Sequence, residues 1–126
     1  YAFIDPQCPH CHAFIKDIRK DYIEKGLVQI RLIPVGFREE TLAQAAFLLA
    51  APDAQSRFFR YLDGDEGAIP AKYDISNQGV QLNMSVMQKW KFDVTPMIIY
   101  ENLRDDVKII RGRPKDVTKL MADVKK

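Results

Sequence analysis

Both cysteines and both histidines of this 126-residue chain fall within five consecutive positions, Cys8-Pro9-His10-Cys11-His12. A bond between cysteines three positions apart closes a tiny loop and removes little entropy from the unfolded chain. Such a pair cannot staple a fold. The chain must therefore stand on a hydrophobic core, and its length suits one domain with a core of real size. The cysteine pair is left to be explained by chemistry.

The pattern around the pair says what carries it. "YAFID" reads as a strand running straight into the cysteine segment. From Pro9 onward the apolar positions are Cys11, Phe14, Ile15, Ile18, Tyr22 and Ile23, which is one buried stripe of a helix. Pro9 suits the first turn, where its missing N–H is not needed, and Gly26 stops the helix. "LVQIRLIPVG" reads as a second strand, parallel to the first if the crossover is right-handed. "REETLAQAAFLLAA" is a helix broken by Pro52, with Gln44 interrupting its apolar run. "DAQSRFFRYLDG" is a short helix closed by Gly64. The stretch from Asp65 to Gln81 reads mostly as loop, and Asn83 as the cap of a short helix over Met84–Lys91. "MIIYE" and "VKIIRG" form a hairpin across the polar loop "NLRDD", and "KDVTKLMADVKK" is a closing helix with Val117, Leu120, Met121 and Val124 on one face. The expected architecture is α/β: β-α-β, a helical insert at about 38–91, then β-β-α, on a mixed central sheet.

A net charge of +2 gives no strong pull toward nucleic acid or a membrane surface. No apolar run approaches the ~20 residues needed to span a bilayer, so no membrane insertion is expected. No secretory signal peptide is present, and the opening on a strand-like run reads as a mature or trimmed fragment with a segment missing upstream.

Three chemistries compete for the motif. A structural zinc site wants four N or S ligands; no second cysteine pair or distant histidine exists, so no metal is expected. Cys8-Pro9-His10-Cys11-His12 also matches the C-x-x-C-H pattern of c-type haem attachment, with His12 as axial ligand. A β-α-β-β-α order is not the helical wrap expected around haem. The third reading is redox chemistry. A strand that delivers C-x-x-C to a helix start is a thioredoxin-like signal. Thiolate is the reactive species, and the free N–H groups and dipole of a helix start stabilise it. Cys8 would then attack and Cys11, one turn in, would resolve. Pro9 and His10 tune the site, the imidazole of His10 favouring the Cys8 thiolate. Two inert buried thiols are the bland alternative.

"FIDPQCPHCHAF", "VQIRLIPVGF", "AQAAFLLA" and "FDVTPMIIY" occur in the order found in the catalytic domain of the DsbC/DsbG family, which the chain resembles over nearly its whole length, on the DsbG side above all through "VTPMIIY". The resemblance implies a bacterial periplasmic thioredoxin-fold domain spanning 1–126, whose N-terminal dimerisation domain lies outside this chain. It implies that Cys8 and Cys11 form a redox-active disulfide, with no other cofactor. It places the family's cis-proline loop on Thr95 and Pro96, with a cis Thr95–Pro96 bond and a Thr95 hydroxyl near Cys8. Thr95, Pro96 and Met97 would bind clients; in an alternative reading as a binding module, an exposed apolar surface around Cys8, Pro96 and Met97 would hold them without chemistry.

The implied function is thiol-disulfide exchange, as isomerase or reductase and in sulfenic acid reduction. Its partners would be client proteins with disulfides or oxidised cysteines, a membrane electron donor of the DsbD type, and a second copy in the intact homodimer. Pro9-His10 is also the dipeptide of the oxidant DsbA, so a disulfide donor stays open, as does a chaperone-like module. Ala2 stands where thioredoxin has a buried acid. Asp5 is read as a residue shaping the turn after the strand. Most of Met84, Met87, Met97 and Met121 are expected in the core, Trp90 as a packing residue, and Arg111 and Arg113 as solubilising charge.

Overall fold

The computed structural model describes residues 1–126. Contacts divide them into two compact units: residues 1–4, 8–33 and 94–126, and residues 5–7 and 34–93.

The first unit is built around a four-stranded mixed sheet. Strand β1 is Ala2–Ile4, β2 is Leu32–Pro34 (its last residue already in the second unit), β3 is Met97–Glu101 and β4 is Val107–Arg111, in the order β2-β1-β3-β4. Ala2, Phe3 and Ile4 are all buried, as befits a central strand apolar at every position. β1 pairs antiparallel with β3 (Ala2 with Ile98, Phe3 with Met97), and β3 pairs antiparallel with β4 from Met97–Arg111 to Glu101–Val107. The β3–β4 loop is the five-residue turn expected. The Asn102 side-chain oxygen accepts from the N–H groups of Arg104 and Asp106, and Asp105 takes a left-handed φ of 65°.

Helix α1, Pro9–Ile18, buries Cys11, Phe14, Ile15 and Ile18 of the stripe read from the sequence, whereas Tyr22 and Ile23 lie beyond it and are only partly buried. It runs on as a π-helical turn over Arg19–Ile23, which sequence periodicity did not reveal. Helix α5, Val117–Asp123, is capped by the Asp116 carboxylate accepting from the Lys119 N–H at 3.0 Å, and it buries Leu120. Val124 lies just past its end, bridged to Asn102.

The second unit is helical: α2 (Glu39–Ala50), α3 (Ala54–Leu62), a 3-10 turn (Glu66–Ala68) and α4 (Gln78–Lys89). Ala45, Ala46 and Val80 form a buried cluster with Leu42, Ile75 and Met84 packed against it. The small residues of "AQAA" let α2 and α4 approach closely. No helix of the chain is long and apolar enough to cross a membrane.

Several expectations need correction. The second strand is only Leu32–Pro34, not the whole of "LVQIRLIPVG". Its neighbour β1 has three residues, so there is no further ladder to join. Helix α4 begins at Gln78, not after Asn83, because Val80, Met84 and Met87 extend the helical stripe upstream. Asn83 lies inside α4, where its amide donates to the Pro34 carbonyl at 2.9 Å. The helix ends at Lys89 through a left-handed Lys91 (φ 57°), with Phe92 N–H donating to the Met87 carbonyl. Trp90, at that turn, is 63% exposed and packs little. Arg113 is no idle charge: its guanidinium grips both carboxylate oxygens of Asp17 at 3.0 Å. Met87 and Met97 are buried as expected.

Candidate active site

The site begins where β1 gives way to α1. Cys8 is the N-cap residue of the helix, with extended backbone (φ −74°, ψ 117°), and Pro9 opens the first turn. This places the Cys8 sulfur where helix N–H groups lack intrahelical partners. The Cys11 N–H donates to it at 3.2 Å. One turn in, Cys11 is completely buried, while Cys8 is partly exposed; both are free thiols. The two sulfurs thus differ in access as their sequence positions implied.

A second segment completes the constellation. The Thr95–Pro96 peptide bond is cis, and the Cys8 thiol donates to the Thr95 carbonyl at 3.5 Å. Residues 87 positions apart in sequence are therefore in contact at the reactive sulfur. Pro96 is held from behind, its carbonyl accepting from the Gly112 N–H at 2.8 Å.

The Cys8 pKa is lowered to about 5. The largest cause is the hydrogen bond from the Cys11 thiol. Partial burial opposes it, and the Thr95 side chain and the main-chain N–H groups of Cys11 and His10 add to it. His10, at an exposed first-turn position, contributes through its backbone amide. Pro96 and Met97 differ from the expectation. Met97 is 3% exposed and the Pro96 ring is fully buried, so neither adds an apolar surface beside Cys8. Met97 is the inward residue of a strand paired on both sides.

No group of three or more His, Cys, Asp or Glu side chains is arranged to hold a metal ion.

Sequence reasoning missed a polar cluster in the segment leading to Cys8. Asp5, 8% exposed, accepts from the Gln7 N–H through Oδ1 (2.9 Å) and from the Phe37 N–H through Oδ2 (3.3 Å). The Gln7 amide donates to Gln44 Oε1 at 2.9 Å and to Glu40 Oε1 at 3.1 Å, and its oxygen accepts from Arg38. Gln44 is buried and donates to the Ile69 carbonyl at 3.0 Å. The signal was present: an amide interrupting the apolar run of α2 needs buried partners.

Comparison with known proteins bears on this geometry. A family model described as Thioredoxin matches residues 1–64. A thiol:disulfide interchange protein DsbG from Pseudomonas aeruginosa is 32% identical over 123 residues, covering 91% of this chain and 46% of that protein. A DsbG from Escherichia coli is 28% identical over 123 residues, covering 94% of this chain and 49% of that protein. The chain spans about half the length of these curated relatives. With a sheet of thioredoxin topology and a matching first half, the chain belongs to the thioredoxin family, and over this domain it is similar to the DsbG proteins.

Proposed function

We propose that this domain is a thiol-disulfide oxidoreductase in which Cys8 attacks and Cys11 resolves. The observation that carries the reading is the asymmetry of the pair: an accessible Cys8 with a pKa of about 5 beside a fully buried Cys11. The Cys8 thiolate attacks one sulfur of a client disulfide. The client's other sulfur leaves as thiolate, and a mixed disulfide joins Cys8 to the client. Cys11 then loses its proton and attacks Cys8 Sγ. The client's second sulfur leaves, the client has gained two electrons, and the domain holds a Cys8–Cys11 disulfide. On a sulfenic acid the first step releases hydroxide, which takes up a proton as water, and the same resolution follows. If a client thiol attacks the mixed disulfide first, Cys8 is regenerated and the client is isomerised with no net redox change.

The chemistry needs no group beyond the two sulfurs. The relatives carry the name thiol:disulfide interchange protein, and by analogy the clients are proteins with disulfides or oxidised cysteines in a bacterial periplasm. A membrane donor of the DsbD type would return the electrons, and the intact protein would be a homodimer. Thr95 serves the client through its backbone, as an extended strand would be met, and Pro96 shapes the loop that presents it.

One observation favours a second reading, disulfide donation. A thiolate held at low pKa stabilises the dithiol form, which makes the disulfide form the stronger oxidant. Mixing the Cys11→Ala variant with a disulfide-bonded peptide tests the shared core of both readings. A mixed disulfide mapped to Cys8 is expected. Its absence, with the Cys8→Ala variant forming one at Cys11, would reverse the roles.

A further inference from the structure

Cys8 draws its stabilisation first from the Cys11 thiol, one turn into α1, and in smaller part from the Thr95 side chain and the N–H groups of His10 and Cys11, so the angle at which the chain enters the first turn of α1 matters. The three residues that bring it there are unusually well tied. Pro6 is fully buried. Asp5 folds its carboxylate back on the Gln7 N–H and accepts from the Phe37 N–H. The side chain of Gln7 uses its amide at both ends, accepting from Arg38 and donating to Glu40 and Gln44. Gln44 in turn is fixed by the Ile69 carbonyl, and it is 5% exposed. All of these contacts lie within one unit, and the next residue along the chain is Cys8.

We propose that Gln7 is a positioning residue for the reactive cysteine: its amide, held by Arg38, Glu40 and Gln44, fixes the backbone turn that presents Cys8 as the N-cap of α1. The proposal rests on the reading of Cys8 as the attacking thiol. A primary amide is the side chain the position calls for. It must accept at its oxygen, from Arg38, and donate at its nitrogen, to two acceptors. A carboxylate would set like-charged oxygens against Glu40 and leave Gln44 Oε1 without a donor. An aliphatic chain would strip the partner from a buried amide oxygen, which costs ~1–3 kcal/mol in general. The network is connected from Arg38 to Ile69, and such networks hold one geometry well when every member is satisfied. Without the clamp, the residue before Cys8 is restrained by the Asp5 turn and the burial of Pro6, with no side-chain anchor of its own. The N-cap geometry then becomes one of several, and the time-averaged hydrogen bonding to the sulfur weakens.

The test is the titration of Cys8 followed by thiolate absorbance near 240 nm in the reduced 126-residue chain, with Gln7→Leu, Gln7→Asn and Glu40→Gln. Leucine removes the hydrogen bonds at similar length. Asparagine keeps the amide but draws it back by one methylene, which keeps the test alive if the leucine variant does not fold. Either Gln7 variant is expected to raise the Cys8 pKa by about one unit, a tenfold loss of thiolate at a pH below the transition. Glu40→Gln retains an acceptor and is expected to leave the titration within a few tenths of a unit. A cooperatively folded Gln7→Asn or Gln7→Leu variant with an unchanged Cys8 titration overturns the proposal. A Glu40→Gln shift as large as that of the Gln7 variants also overturns it, because charge and not geometry would then be responsible. Failure of the underlying reading is separately visible: in the wild-type chain Cys8 would then titrate like a free thiol.

Discussion

The Cys8 sulfur is the residue at which all later properties converge. Its thiolate is favoured by the Cys11 thiol first, then by Thr95 and two main-chain amides. A lost hydrogen bond to a charged group is worth ~1.5 kcal/mol, or roughly one pKa unit. Thr95→Val is therefore expected to raise the Cys8 pKa by up to about one unit, readable in the same thiolate absorbance. An unchanged titration would remove the hydroxyl from the account. The depressed pKa also fixes the sign of a stability effect. Between about 5, the folded value, and ~8.5, that of a free thiol, the unfolded chain binds a proton that the folded chain has released. The reduced protein therefore gains stability as pH rises across this window, holds the full gain above it, and loses it as pH falls through about 5. Thermal unfolding of the reduced chain and of reduced Cys8→Ala should diverge in favour of the wild type from pH 5 to pH 8. A gap that does not change with pH would count against the shifted thiol.

Elements set which of these contacts can exist, and here particular residues show what a sequence discloses. Cys11, Phe14, Ile15 and Ile18 spelled out α1, because one-sided burial imposes helical spacing. The hairpin was equally legible, since a five-residue loop with four polar residues between two strand-like runs leaves few alternatives. The start of α4 was not. Asn83 carries a good capping side chain, but that side chain serves the Pro34 carbonyl, a partner 49 residues away that no local rule reveals. The cysteine pair and Thr95-Pro96 were readable as a site. The Gln7 network was not, because it joins residues more than 30 positions apart. Gly36 is a further case of long reach: a Cβ there would lie 2.5 Å from Leu42 Cα, against the first turn of α2. Backbone cannot rotate away as a side chain can. Gly36→Ala is expected to cost about 3 kcal/mol or more, the upper end for overpacking, in urea unfolding. A loss under ~1 kcal/mol would mean that the turn shifts freely.

At the scale of the whole chain, a sheet-bearing unit and a helical unit share 126 residues, about half the length of the relatives. Exchange at one dithiol needs only the site; isomerisation needs the client held while its disulfides are attacked again and again. The chain is therefore expected to reduce an accessible disulfide readily and to refold a scrambled multi-disulfide protein poorly. Full isomerase activity from a proven monomer would contradict this. Every one of these activities depends on the difference between two sulfurs. Pulsed iodoacetamide labelling of the reduced chain across pH 3–9, with each cysteine mapped by mass spectrometry, tests that difference most directly. The expected result is labelling confined to Cys8, with a midpoint near 5. Labelling of Cys11 first, or a Cys8 midpoint near the free-thiol value of ~8.5, would contradict it.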